Sequence, residues 1–228
     1  MMKTTYTQKG NVLFLILIAV ALFAALSYAV TQSSRSGGDA GRETNMINSA
    51  VLTQYPASLR ISVMRLVIEG VAVERQQFND PEVVGFTDRL SAFHPDGGGA
   101  VYQQTPADIM NDGNPGTWAF NMDFEITGLG SSAAGISGNE LVAFLVGVTQ
   151  SVCQKINDEA SIGGIPITVD LSASYVKDQI HSYDFSGVGN VDLDGTAGDA
   201  GDLHGKAFGC FQNTATGDYV FYSALYER

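Results

Sequence analysis

"QKGNVLFLILIAVALFAALSYAV", residues 8–30, decides what class of protein this is. From Val12 to Val30 it holds 19 residues with no charge and no strongly polar side chain beyond Ser27. As a helix at 1.5 Å per residue the run covers about 29 Å, close to the thickness of a bilayer's hydrocarbon core. Only a helix satisfies its own backbone amides in that setting, so the run predicts a single transmembrane helix. Lys3 and Lys9 are the charges ahead of it. Positive residues hold that end in the cytoplasm, which puts the chain after Val30 across the membrane.

The chain of 228 residues carries 12 Lys+Arg against 24 Asp+Glu. With Lys3 and Lys9 ahead of the run, 10 basic and 24 acidic residues follow it, a net of −14. Such a surface repels phosphate, so nucleic-acid binding is excluded from the expected partners. The two cysteines, Cys153 and Cys210, both follow the apolar run. In an oxidising compartment such a pair forms a disulfide. Closing a loop of about 58 residues would contribute roughly 4 kcal/mol in the chain-entropy account. The alternative is two unrelated buried thiols.

Three readings share this kind of N-terminus: a cleaved secretory signal, a retained anchor and a polymerisation helix. "SYA" ending at Ala29 would serve a signal peptidase, but the apolar run is longer than a signal normally needs. A polar leader ending in Lys9–Gly10 ahead of an unbroken apolar helix resembles a type IV pilin-like or pseudopilin-like precursor. The longer stretch from Gly10 to Gly38 is also similar to small pilin-like membrane proteins of Gram-negative bacteria. The resemblance implies cleavage by a prepilin peptidase between Gly10 and Asn11, followed by methylation of Asn11. It also implies packing of the apolar helix with like subunits or other pilin-like proteins. Two departures stand out. Asn11 replaces the usual Phe or Met at the mature N-terminus, and Leu15 occupies the fifth mature position, where most members carry a glutamate. That pattern resembles minor, tip-located pseudopilins better than a major subunit.

Beyond the membrane, residues 31–43, "TQSSRSGGDAGRE", read as a flexible joint. Residues 44–75 read as a helix whose apolar side is Ile47, Val51, Leu52, Tyr55, Leu59, Met64 and Leu66, with Pro56 kinking or restarting it. Arg60, Arg65, Glu69 and Glu74 are expected to face water. "GAVYQQ" and "WAFNMDFEITGLG" read as strands within a turn-rich region. "SGNELVAFLVGVTQSVCQKIND" places Leu141, Leu145, Val148, Val152 and Ile156 at helical spacing. Asn139 or Ser137 would cap that helix, with Glu140 near the positive end of its dipole. After the strand-like "ITVDLSASYV" the chain closes in a hairpin, "KAFGCFQN" and "YVFYSALYE" joined by "TATGD".

Chemistry-bearing motifs are sparse. His94, His181 and His204 occupy neither a nucleophile elbow nor a HExxH context, and "GLGSSAAG" lacks the lysine of a phosphate loop. No catalytic constellation is found, and no enzyme activity is expected. Residues 189–205, "GNVDLDGTAGDAGDLHG", alternate Asn190, Asp192 and Asp194 before Gly195 like the first half of a Ca2+ loop. The twelfth position from Asn190 is Gly201 where an EF-hand needs glutamate, so Asp199 or Asp202 would have to complete the oxygen set. The plain alternative is a solvated Asp/Gly loop.

The sequence therefore predicts an α+β protein: one N-terminal transmembrane helix, then a helix and a small antiparallel-sheet domain. Its expected segments are a leader at 1–10, the transmembrane helix at 11–30, the joint at 31–43 and an exported domain at 44–228. The expected location is the inner membrane, N-terminus in the cytoplasm and C-terminal domain periplasmic or extracellular. The expected role is a minor pilin-like or pseudopilin-like subunit, and the rival is an uncleaved bitopic protein with a ligand- or partner-binding domain.

Overall fold

The computed structural model describes residues 12–33, 37–85, 88–130, 139–168, 191–192, 203–214 and 216–228. The chain divides into two compact units, Met1–Thr44 and Asn45–Arg228. In the first, helix α1 (Val12–Ser33) runs for 22 residues, about 33 Å at the helical rise. Its Val12–Thr31 stretch is long and apolar enough to cross a membrane, and none of it is buried against other parts of the protein. Apolar side chains surround it on every side, the composition of a helix solvated by lipid or by other helices. It has the length and composition of a single membrane span or of a signal sequence.

Helix α2 (Gly37–Ile68) begins earlier than the apolar periodicity predicted, so the expected joint at 31–43 is helical at 31–33 and 37–43. Within the second unit Leu52, Tyr55, Leu59, Val63 and Leu66 are buried, a stripe stepping by three and four residues down one face. Pro56 sits inside the helix and neither ends nor restarts it. Three residues assigned to the buried side, Ile47, Val51 and Met64, are instead exposed. A short turn of helix, α3 (Pro81–Val84), follows, started by Asp80, whose carboxylate accepts the Glu82 N–H at 2.8 Å.

Among the described residues the sheet has six strands: β1 (Trp118–Glu125), β2 (Glu140–Val146), β3 (Ile167–Thr168), β4 (Val191–Asp192), β5 (Phe208–Asn213) and β6 (Tyr219–Tyr226). Their order is β3-β5-β6-β2-β1-β4. The four inner strands are antiparallel, while β3 and β4 add two-residue parallel pairings at the margins. The predicted hairpin is β5–β6, with Cys210 opposite Phe221. "GAVYQQ" forms no strand; its neighbour Thr105 makes only an isolated bridge with Gly116.

The largest correction concerns Glu140–Ile156. Glu140–Val146 is not helix but β2, between β6 and β1. The chain turns at Gly147 (φ 86°), and only Gln150–Ala160 forms the helix, α4. Thr149, not Asn139, occupies the N-cap position, and Ser137 lies outside the described residues. The physical reason is burial on both sides of the sheet. Trp118, Phe120, Leu141, Ala143 and Leu145 pack with α2 and α4, while Phe124, Val142, Phe144, Phe211 and Tyr222 form a second core with Ile162 and Leu203. A strand covered on both faces shows no polar alternation, so it reads in sequence like buried helix.

Candidate functional site

Two of the residues singled out in the sequence are brought together. Cys153 on α4 and Cys210 on β5 form a disulfide, with Cα atoms 5.4 Å apart and both residues fully buried. One helical turn after Cys153, Asn157 aims its side chain at the same strand. Its Oδ1 accepts the Cys210 N–H at 2.8 Å, and its Nδ2 donates to the Cys210 carbonyl at 2.7 Å and the Gly164 carbonyl at 2.7 Å. The carboxamide stands in for a neighbouring strand's peptide, pairing both backbone groups of Cys210 where β5 would otherwise leave them bare. Lys206 finishes the same helix, donating from Nζ to the Ala160 and Ser161 carbonyls at 2.8 and 3.3 Å.

Glu140 is the functional-looking residue that sequence reasoning misplaced. It is fully buried at the start of β2, where its Oε2 accepts the Ile126 N–H at 2.8 Å. Its Oε1 is buried and has no hydrogen-bond partner among the described residues. Burial pushes its carboxyl up to about 7, partly opposed by the Ile126 amide, with Glu125 and Glu227 adding repulsion. The available signal was a lone acid at the head of a six-residue apolar run, Leu141–Val146.

A raised carboxyl in the folded state gives stability that is complete below the ordinary carboxylate range and lost as pH rises through 7. The group's share of that loss is roughly 2–3 kcal/mol. Glu140→Gln should therefore flatten the stability profile between pH 5 and 8 and stabilise the protein at pH 8. Urea unfolding of both proteins at the two pH values checks this; identical pH slopes would refute it.

The other predicted site residues are not assembled. Gly10 and Asn11, the expected processing junction, lie outside the described residues. So do Asn190, Asp194, Asp199 and Asp202 of the proposed Ca2+ loop; Asp192 is seen only as backbone in β4, in register with Glu125. Among the described residues no group of three or more His, Cys, Asp or Glu side chains could hold a metal ion. His94 accepts the Asp96 N–H on Nδ1 at 3.0 Å, a local turn contact, and His204 packs over Gly128. His181 is outside the described residues. What this unit presents is a braced, two-sided sheet and an acid buried within it. No family model, curated protein or solved structure matches the chain.

Proposed function

We propose that this chain is a minor pilin-like or pseudopilin-like subunit of a cell-envelope filament or secretion assembly, with a structural rather than an enzymatic role. The observation that carries this reading is α1: a twenty-residue apolar stretch, none of it buried, directly behind the Lys9–Gly10 junction. A helix that apolar and that bare needs lipid or like helices around it. After it comes an α+β unit whose first helix packs on an antiparallel sheet, the arrangement expected of a domain displayed from such an anchor. In this reading the protein enters the inner membrane with its N-terminus in the cytoplasm. It loses residues 1–10 and associates with similar subunits through α1.

One observation favours the rival, an uncleaved bitopic protein with a periplasmic ligand- or partner-binding domain. α1 contains no acid, and Leu15 stands where most pilin-like subunits keep the glutamate that pairs with a neighbour's amino terminus. Intact mass and N-terminal sequencing of the protein from native membranes separate the two. The expected result is a chain starting at methylated Asn11. A chain starting at Met1 or Met2 rejects the subunit reading in favour of the bitopic one, and a start at Val30 identifies an export signal.

A further inference from the structure

The face of α2 turned away from the sheet is not the polar surface expected of a helix that packs on one side. Ile47, Ile61 and Ile68 are 60, 72 and 81% exposed, and Val51 and Met64 are also open to solvent. With Ala50, Gln54 and Ala57, also exposed, Ile47, Ile61, Met64 and Ile68 complete alternating steps of three and four over three heptads. This is the narrow seam of a coiled-coil helix, on the opposite side from the buried stripe. Its C-terminal half is an open apolar surface formed by Ala57, Ile61, Met64 and Ile68. Arg60 and Arg65 border it, with Glu69 the one carboxylate among the described residues there.

Charge selects the occupant. From Asn45 to Ile68 the helix carries Arg60 and Arg65 and no acid, in a chain with 24 acids. Both arginines are close to half exposed, in surface pairs with Glu227 (2.8 Å) and Glu69 (3.1 Å). Exposed pairs of this kind contribute little and exchange readily. A parallel second copy would set Arg60 of one helix, at the heptad g position, against Arg65 of the other at e, a repulsive pairing. An antiparallel copy, in which a positions face d positions, would bury Gln54 against Met64 or Ala57, with no partner for its amide. A lipid surface is a poor match too, because the stripe is only two residues wide and lacks aromatic side chains.

We infer that the outer face of α2 is a docking seam for a different protein's amphipathic helix. That helix would carry apolar a and d positions, carboxylates on its flanks and one polar side chain facing Gln54. The inference does not depend on how the leader is processed, and its test leaves the N-terminus untouched.

The probe is a pair of fluorescent 28-residue synthetic helices. Both have Leu and Ile at a and d and one Asn facing Gln54; one has Glu and the other Lys at every e and g. Each is too like-charged to pair with itself. Anisotropy against the full chain in detergent should show the Glu peptide binding at least tenfold more tightly than the Lys peptide. Ile61→Asp with Met64→Asp should weaken it tenfold or more, without lowering the melting temperature, because both residues are already exposed. Arg60→Glu with Arg65→Glu should invert the peptide preference. Equal binding of the two peptides, or binding of neither, would overturn the inference. So would self-association of the chain that Ile61→Asp abolishes, or vesicle binding lost in the same variant.

Discussion

Replacing Cys153 and Cys210 together by alanine is expected to lower the stability of the α+β unit by about 4 kcal/mol. The bond closes a sequence separation of 57 residues, a segment that includes β3 and β4 at the sheet margins. Breaking it frees that segment in the unfolded chain, and loop-closure entropy of this size follows from the length alone. Both cysteines sit in the core that α4 shares with the sheet, so the alanine pair also leaves a small void there. Urea unfolding of the full chain in detergent, with and without reductant, separates the two contributions. Reduced wild type should lose most of what the double variant loses. If reduction leaves the midpoint unchanged, the cross-link does not stabilise the fold.

Asn157→Ala should cost roughly 3 kcal/mol, the second-largest single effect expected here. Asn157 is fully buried, and its three hydrogen bonds satisfy the Cys210 N–H, the Cys210 carbonyl and the Gly164 carbonyl. Alanine removes all three and strands the two Cys210 groups on the dry side of β5, so the penalty is desolvation as well as lost bonding. Asn157→Asp should be worse at pH 8 than at pH 5. A carboxylate presents only acceptors to the Cys210 carbonyl, whereas the protonated acid restores one donor. Because Asn157 and the disulfide hold the same residue from the same helix, their losses should not add. The triple variant should fall short of the sum by a measurable coupling in denaturant titrations. Full additivity would mean that the two braces act independently.

These two contacts also show where sequence reading stopped. The cysteine pair was legible because two cysteines beyond an apolar run leave few alternatives, and the β5–β6 hairpin because two strand-like arms flank a turn-forming segment. Asn157 carried no signal. An asparagine on a helix is ordinarily solvated, and only the approach of β5 makes its amide a substitute for a strand. Glu140 was visible as an acid, but its assignment to a helix start followed from the wrong element. Val152 and Ile156 do keep helical spacing on α4, and Leu141, Leu145 and Val148 continue it by coincidence ahead of Gln150.

Composition by itself determined α1. Nineteen uncharged residues in a row, all apolar but Ser27, dictate a helix that seeks lipid or other helices, whatever the remainder of the chain does. Net acidity and the presence of an α+β unit were likewise set locally. Tertiary structure decided which of the two apolar rows on α2 is core. Leu52, Leu59 and Leu66 meet the sheet, whereas Ile47, Ile61 and Ile68 do not. It decided as well that "ELVAFLV" is a central strand. Both choices depend on what lies opposite: a run of apolar side chains specifies that it must be covered, and only its neighbours in space specify from which side.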